Sequence, residues 1–534
     1  MSRSAFLSSE VGRFTSVAEY LLDATCAYSP IIEEAISTFG DCALSEYLEQ
    51  ILPVPNDSFQ GRDDLLNGVF EYAAPLLGGD VADRMCGELN ASPVVLTTNH
   101  HGVDFFSQSV QGNLIFSLRS IGGNPATTVP VFSCGGIPLD NFTYPQGLLV
   151  YDVGGLELDK LPKKFPIFSN KSRRKIVSVV GPIDEEMVRR AQQRFVKMVA
   201  QGEFSESSLA VIERILMEDY SAPEVTDLRT YSDQSVAINH RIWKRLLANH
   251  EAIPDVAYLE LEKIVSKLLE KDLVNPGSLA GSVMFDPELR RCILTELDGA
   301  RVCWETKKLA ERLLMDSAPG GQCKDSNRGG TVFFWGISNA LRKVPLYLTT
   351  SDTAGDVLQG IDDKGHRFEW PFNSHSVLQG LRAKRLIPSL FTSFLTLSFA
   401  RGVTCLGGYY QAEYLPAIQD GVVRALRRFY NYRHAADCVT KVHTRAYLGG
   451  MQAVMRRIDR EHLVPAGPLE IIASGGLTTE ELRLIRSLTV RDAHIASLFE
   501  TITELGLASI APNDWKRQLA EVCNGILRDQ IVIK

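Results

Sequence analysis

Between residues 92 and 200 short apolar runs alternate with segments of helical period, and this alternation constrains the fold more than any other feature. PVVLTT (93–98) is continuous, apolar and rich in β-branched residues, and it hands over at once to FFSQSVQGNLIFSLRSI (105–121), whose apolar residues recur at helical spacing. TTVPVFSC (127–134), GLLVYD (147–152) and RKIVSVVG (174–181) repeat the strand character. A strand that is apolar throughout needs cover on both faces, which a parallel sheet flanked by helices provides. DEEMVRRAQQRFVKMVA (184–200) opens with three acids and collects basic residues later, the polarity that suits a helix dipole.

The rest of the chain fits around that layer. Residues 1–90 read as a helical N-terminal region, from AEYLLDATCAYSPIIEEAISTFG and LLNGVFEYAAPLL, and 91–202 as the first half of an α/β core. Residues 203–320 read as a helical connecting insertion, from SSLAVIERILMEDY, SVAINHRIWKRLLANH, VAYLELEKIVSKLLEK and WETKKLAERLL. The second half of the core spans 321–416: GGQCKDSNRGG (320–330) is a loop by composition, and TVFFWG, VPLYLTT and HRFEWPF are strands. IPSLFTSFLTLSFARG (387–402) is apolar almost all round, so it belongs to a core or to a dimer interface, and it leads into the turn CLGGYYQAEYLP. Residues 417–534 read as mainly helical, with one strand, LEIIASGG, before a capping-box pair at Thr478 and Glu481.

Composition excludes several function classes. The 534 residues are 45% hydrophobic and 22% charged, with a net charge of −8, which argues against a general nucleic-acid binder. There is no apolar run of the roughly 18 residues that a membrane helix needs. The first residues, MSRSAFLSSEVGRF, lack the apolar core of a secretory leader, and the ten cysteines are scattered without any CxxC, so a cytoplasmic protein with reduced thiols is expected. There is no Gly-Lys dipeptide, no Gly-x-Gly, no HExxH and no GxSxG, so the standard phosphate, dinucleotide, metalloprotease and serine-hydrolase signatures are missing.

The candidate chemistry lies where the first strand ends, in NHHGVD. Ligands of open α/β sheets bind beyond the carboxyl ends of strands. A neutral imidazole from His100 or His101 would act there as a general base or a ligand contact. Turn and capping chemistry alone accounts for Asn99, Gly102 and Asp104. A metal would need a further ligand such as His375 or Cys134, because adjacent side chains on a strand point apart, and none is indicated. Gly135, Gly136 and the acid Asp140, next to Asn141, follow the second strand. Gly407, Gly408, Tyr409, Tyr410 and Glu413 follow the buried helix, with Glu413 placed to hold an amine. His375 reads as the exposed first turn of a capped helix, and Lys163, Lys164, Lys171, Arg173, Arg174 and Lys175 as a solvated strand flank. Cys134 would be a nucleophile, but no adjacent base is visible in the sequence.

Three stretches together resemble a known family. Thr98-Asn99-His100-His101, followed by Asp104-Phe105-Phe106, is similar to the T-G-H-Q turn of the bacillithiol-synthesis cysteine-adding enzymes. Val129-Pro130-Val131-Phe132 is similar to their V-P-V-F strand, and Pro388 to Tyr414, ending GGYYQAEY, to their long buried helix and G-G-P-G-E-x-A-Y turn. This chain departs from the pattern at Asn99, at His101, at Tyr409 or Tyr410, and in the E-D-H-D string, of which only Asp140 remains.

The resemblance implies a Rossmann-like parallel sheet core interrupted by a helical connecting region. It implies an enzyme that forms a C–N bond, adding an amino acid or carboxylate to an amine-bearing small molecule. His100 and His101 would bind or polarise the reacting group, with Asp140 as the third catalytic residue. Asp140 and Glu413 would anchor the amine, Asn99 and Gly102 would shape the turn, and Asn99, Gly102, Asp104, Gly407, Gly408, Tyr409, Tyr410 and Glu413 would bind the substrate. The chemistry calls for ATP or another acyl-activating donor, and no metal. A ligand-binding scaffold of the same fold, or a metal-dependent hydrolase using His100, His101 and Asp104, are the alternatives, and a homodimer stays open.

Overall fold

A computed structural model describes residues 16–52, 59, 62–151, 161–248, 254–315, 329–350, 355–527 and 531–533. The leader reading of residues 1–14 lies outside the described residues, as does most of the loop expected over 320–330. The chain is mixed α/β around five parallel strands: β1 (Val94–Leu96), β2 (Thr128–Ser133), β3 (Asp255–Glu260), β4 (Thr404–Gly408) and β5 (Tyr447–Gly449). Their order across the sheet is β5-β4-β1-β2-β3. Val94–Leu96 pairs with Thr404–Leu406 on one side, and Leu96 with Val131 on the other. Thr128–Ser133 pairs with Asp255–Glu260 in unbroken register, and β4 pairs with β5 at Gly407 and Gly408.

The apolar runs form strands here because both faces are covered. Val94, Leu96, Val129, Val131, Val256 and Tyr258 enter one core, with helices α1 (Ser107–Ser117), α2 (Tyr231–Arg245) and α5 (Val490–Glu504). Val95, Phe132, Ala257, Leu259 and Cys405 enter the opposite core, with α3 (Leu261–Asp272) and α4 (Tyr409–Arg427). The alternation of period two therefore survives, but both sets are apolar. Each Val or Leu so buried stabilises the fold by roughly 1.5–3 kcal/mol relative to exposure.

Several elements differ from the sequence reading. The stretch 203–320 is not wholly helical, because it contains β3, an edge strand of the central sheet. VAYLELEKIVSKLLEK carries a helical period, yet its first residues extend against β2 and the helix α3 starts only at Leu261. The strands between 331 and 372 form small antiparallel sheets, Phe334–Ile337 with Lys343–Pro345 and Leu386–Pro388, and Tyr347–Thr349 with Val357–Ile361 and Arg367–Pro371. Among the described residues of the expected second half, only β4 joins the parallel sheet. Gly147–Val150 pairs antiparallel with Lys163–Pro166, outside that sheet, and 174–181 holds a single 3-10 turn, Val177–Val179. Leu469–Ala473 of LEIIASGG lie in the helix Pro468–Ala473, which Pro468 opens at its first position. CLGGYYQAEYLP is a strand followed directly by α4 rather than a turn. The region after 417 contributes β5 and the three strands of a further sheet, Val454–Arg457, Leu463–Pro465 and Ile531–Ile533.

The helix Leu390–Phe394 and its π-helical continuation Leu395–Phe399 are buried within the chain's own core. Among the described residues no helix is long and apolar enough to cross a membrane.

Candidate active site

Strand β1 lies at the point where the chain's progress across the sheet reverses, with β2 and β3 to one side and β4 and β5 to the other. Ligand clefts of open parallel sheets form beyond the carboxyl ends of the strands at such a reversal. A cleft of about 890 Å³ opens there, lined by residues that follow β1, β2, β4 and β5.

His100 and Cys134 form its centre. They are bridge partners on the extensions of β1 and β2, where the Cys134 N–H donates to the Asn99 carbonyl at 2.9 Å and the His101 N–H donates to the Cys134 carbonyl at 2.8 Å. Both side chains line the cleft. The His100 ring packs edge-on against Phe142 at 5.1 Å, and its Nδ1 lies 3.4 Å from Thr143 Oγ1. Burial, with the Lys343 charge as a smaller cause, pushes its pKa down to about 4, so the imidazole is neutral at pH 7.

Cys134 meets a carboxylate. Its Sγ donates to Glu262 Oε1 at 3.2 Å, and the same carboxylate accepts the Gly135 N–H at 2.7 Å and the Gly136 N–H at 2.7 Å. The two glycines are required sterically: a Cβ on Gly135 would lie 2.5 Å from Ser178 Oγ, and one on Gly136 2.8 Å from Glu262 Oε1. Burial raises the Glu262 pKa, with the nearby Glu260 charge adding to it. Burial, then the Glu262 charge, pushes the Cys134 thiol well above its ordinary value.

Lys343 completes this end of the cleft. Its Nζ lies over the Trp335 ring, 4.3 Å from the centroid, and among the described residues it forms no hydrogen bond or ion pair. Burial lowers its pKa, while Cys134 and Glu262 act to raise it.

At the β4–β5 end the cleft is lined by Gly408, Tyr409, Tyr410, Arg301 and Glu504. The Tyr409 and Tyr410 rings are 4.7 Å apart, and the Arg301 guanidinium sits 4.1 Å from the Tyr410 centroid. The Glu504 carboxylate, from the last turn of α5, faces the Tyr409 hydroxyl and forms no ion pair among the described residues. Burial raises its pKa.

Of the residues singled out from the sequence, His100, Cys134, Gly136, Gly408, Tyr409 and Tyr410 come together in the cleft. His101, adjacent on an extended chain, points the other way. Its Nδ1 lies 2.7 Å from Ser133 Oγ and its Nε2 3.0 Å from Ser232 Oγ, fully inside the core. Asp104 accepts the Phe106 N–H at 2.9 Å and the hydroxyls of Ser109 and Tyr258, which secures the entry to α1. Asn99 donates to Asn113 Oδ1 at 3.1 Å, and the Gly102 carbonyl accepts from Asn239 Nδ2 at 2.8 Å. Gly407 packs on the Gln411 side chain.

Asp140 stands outside the cleft, 3.9 Å from Arg173 Nε on a half-exposed surface. Glu413 is exposed and pairs with Arg301 at 2.9 Å, so it reaches the cleft only through that arginine. His375 is exposed on a helix capped by Asn373. His100, His101 and Asp104 do not converge, and among the described residues no cluster of three or more His, Cys, Asp or Glu side chains has the arrangement of a metal site.

The charged cleft residues that sequence reasoning missed include Glu262, Arg301, Glu305, Lys343 and Glu504. Glu262 follows the strand β3 that the helical period concealed, and that strand end is the signal that would have found it. No protein-family model matches the chain, and no curated protein or solved structure matches it.

Proposed function

We propose that the protein is an enzyme of Rossmann-like architecture that joins an acyl group or carboxylate to the amine of a small molecule. The observation that carries this reading is the distribution of titratable groups in one cleft. The Lys343 amine, without an ionic partner among the described residues, lies at the β2 end, the Glu504 carboxyl, likewise without one, lies at the β4–β5 end, and a neutral imidazole, His100, follows β1 between them. Counted from the β3 edge, the strand order 3-2-1-4-5 is that of nucleotide-binding Rossmann sheets, which supports the architectural part of the reading.

The acyl oxygen gains negative charge as an amine attacks the carbonyl carbon, and a fixed cation beside that oxygen lowers the barrier. Lys343 is the available cation. The attacking nitrogen must lose a proton, and His100 is already in the basic form at pH 7. The ammonium form of the acceptor is drawn to Glu504 and to the ring faces of Tyr409 and Tyr410. This arrangement replaces Asp140 and Glu413 as amine anchors. Starting from a free carboxylate, the reaction needs ATP or another acyl-activating donor.

The test is direct. The protein is incubated with an activated acyl ester and a panel of small amines, and N-acyl products are measured by mass spectrometry. His100→Ala and Lys343→Met are expected to lower kcat/KM by about 100-fold each. Formation of N-acyl product at the wild-type rate in both variants sinks the assignment of this cleft.

A further inference from the structure

Resting on that reading, we infer that Cys134 is the nucleophile of the reaction and carries the acyl group as a thioester, with Glu262 as its base and Lys343 as the cation at the acyl oxygen. The three side chains come from separate elements. Cys134 directly follows β2, Glu262 lies in the first turn of α3, and Lys343 belongs to the small antiparallel sheet that lines the cleft. A thiol in a cleft wall carries little meaning alone. Here it donates to a buried carboxylate at 3.2 Å, and that carboxylate is held in place by two backbone N–H groups. The nearby Lys343 amine, stacked on Trp335, has no ionic partner among the described residues and faces the cleft. Nucleophile, oriented base and electrophilic cation in one water-accessible pocket are the parts that covalent acyl transfer requires.

The steps balance without an oxidant, reductant or nucleotide. The Cys134 Sγ–H proton passes to Glu262 Oε1 as sulfur attacks the carbonyl carbon of an acyl donor R–CO–X. A C–S bond forms, and the carbonyl pair moves onto the oxygen beside Lys343 Nζ. That pair returns, the C–X bond breaks, and X leaves with the proton from Glu262 as HX. A neutral amine then attacks the thioester, the C–N bond forms and the C–S bond breaks. The nitrogen's surplus proton passes through His100 or Glu262 and restores the Cys134 thiol. The net change is R–CO–X plus R′NH2 giving R–CO–NHR′ plus HX. The acyl donor is thus an ester, thioester or amide rather than a free carboxylate.

The full chain is treated with p-nitrophenyl acetate, quenched in acid and mapped by peptide mass spectrometry, with p-nitrophenol release followed in parallel. The expected result is a stoichiometric burst with the acetyl group on Cys134. The burst is absent in Cys134→Ala and slowed at least about 100-fold in Glu262→Gln and Lys343→Met, with unchanged thermal unfolding. Acetyl found only on lysines or other cysteines of the wild-type chain overturns the inference, and this mapping needs no variant. A burst indifferent to both Glu262→Gln and Lys343→Met overturns it as well. Acetyl-Cys134 that no amine discharges, releasing acetate alone, supports the nucleophile and removes the C–N reading. N-acyl product formed by Cys134→Ala at the wild-type rate removes the nucleophile and leaves the C–N reading standing.

Discussion

The Cys134 thiol and the Glu262 carboxylate meet at 3.2 Å, and the geometry makes each dependent on the other. Burial first, and the Glu262 charge after it, favour the protonated thiol, so Cys134 is held in the thiol form at pH 7 and alkylation by iodoacetamide is expected to be slow there. Glu262→Gln removes that charge, and the alkylation profile should move to lower pH even as acyl transfer falls. A residue that merely anchored the loop would not accelerate one reaction and slow the other. An alkylation profile that stays in place or moves to higher pH counts against the pair.

Gly102 governs how the chain leaves β1. Its φ of +132° is disfavoured for residues with a side chain, and a Cβ there would fall 2.6 Å from Pro145 Cβ. Gly102→Ala is therefore expected to destabilise the fold by about 1–3 kcal/mol and to displace His100, read as a lower urea midpoint together with reduced activity. A wild-type midpoint would show that the turn relaxes freely.

The sheet was legible where local pattern and tertiary role agree. The residues of β1 and β2 are apolar on both faces, and nothing else in a parallel sheet produces that run. The strand β3 was illegible because Val256 to Glu260 continue, without any turn residue, into a helix whose period masks them. β5 is only three residues long, too short for periodicity to register. His100 was legible from its position after a strand. The same two-residue alternation turns His101 into the core, where Ser133 and Ser232 engage it. Glu504 and Lys343 left no local trace, because the elements that carry them reach the cleft through long-range packing. Glu413, a turn into α4, faces solvent and Arg301 instead.

His494 gives the protein an acid limb. Burial holds its pKa down to about 4, against an ordinary value of 6.5, and its Nε2 lies 3.2 Å from the Tyr447 hydroxyl. The unfolded chain takes up a proton near the ordinary value, whereas the folded chain resists until near 4. Stability is therefore intact above the unfolded pKa and falls as pH drops through this window, by up to about 3 kcal/mol from this residue. His100 pulls in the same direction for the same reason. Urea denaturation between neutral and acid pH should show a shallower loss in His494→Gln than in wild type. Equal slopes would mean that other groups set the acid limb.

Arg401 ties the N-terminal helices to the core and supplies the sharpest stability test. It is buried, and its guanidinium donates to both Asp272 oxygens at 2.9 and 3.0 Å, to the Thr396 carbonyl at 2.9 Å and to Asp64 Oδ2 at 2.5 Å. Asp64 belongs to the helix Asp63–Leu77, while Asp272 ends α3. Replacing the arginine alone strands Asp272 as a buried charge. Arg401→Met should thus cost about 3–5 kcal/mol, most of it desolvation left uncompensated rather than lost attraction. The triple replacement Arg401→Met, Asp64→Asn, Asp272→Asn removes the charges together and should recover much of that loss. If the triple variant is as unstable as the single one, the cost lies in packing and the charge argument fails.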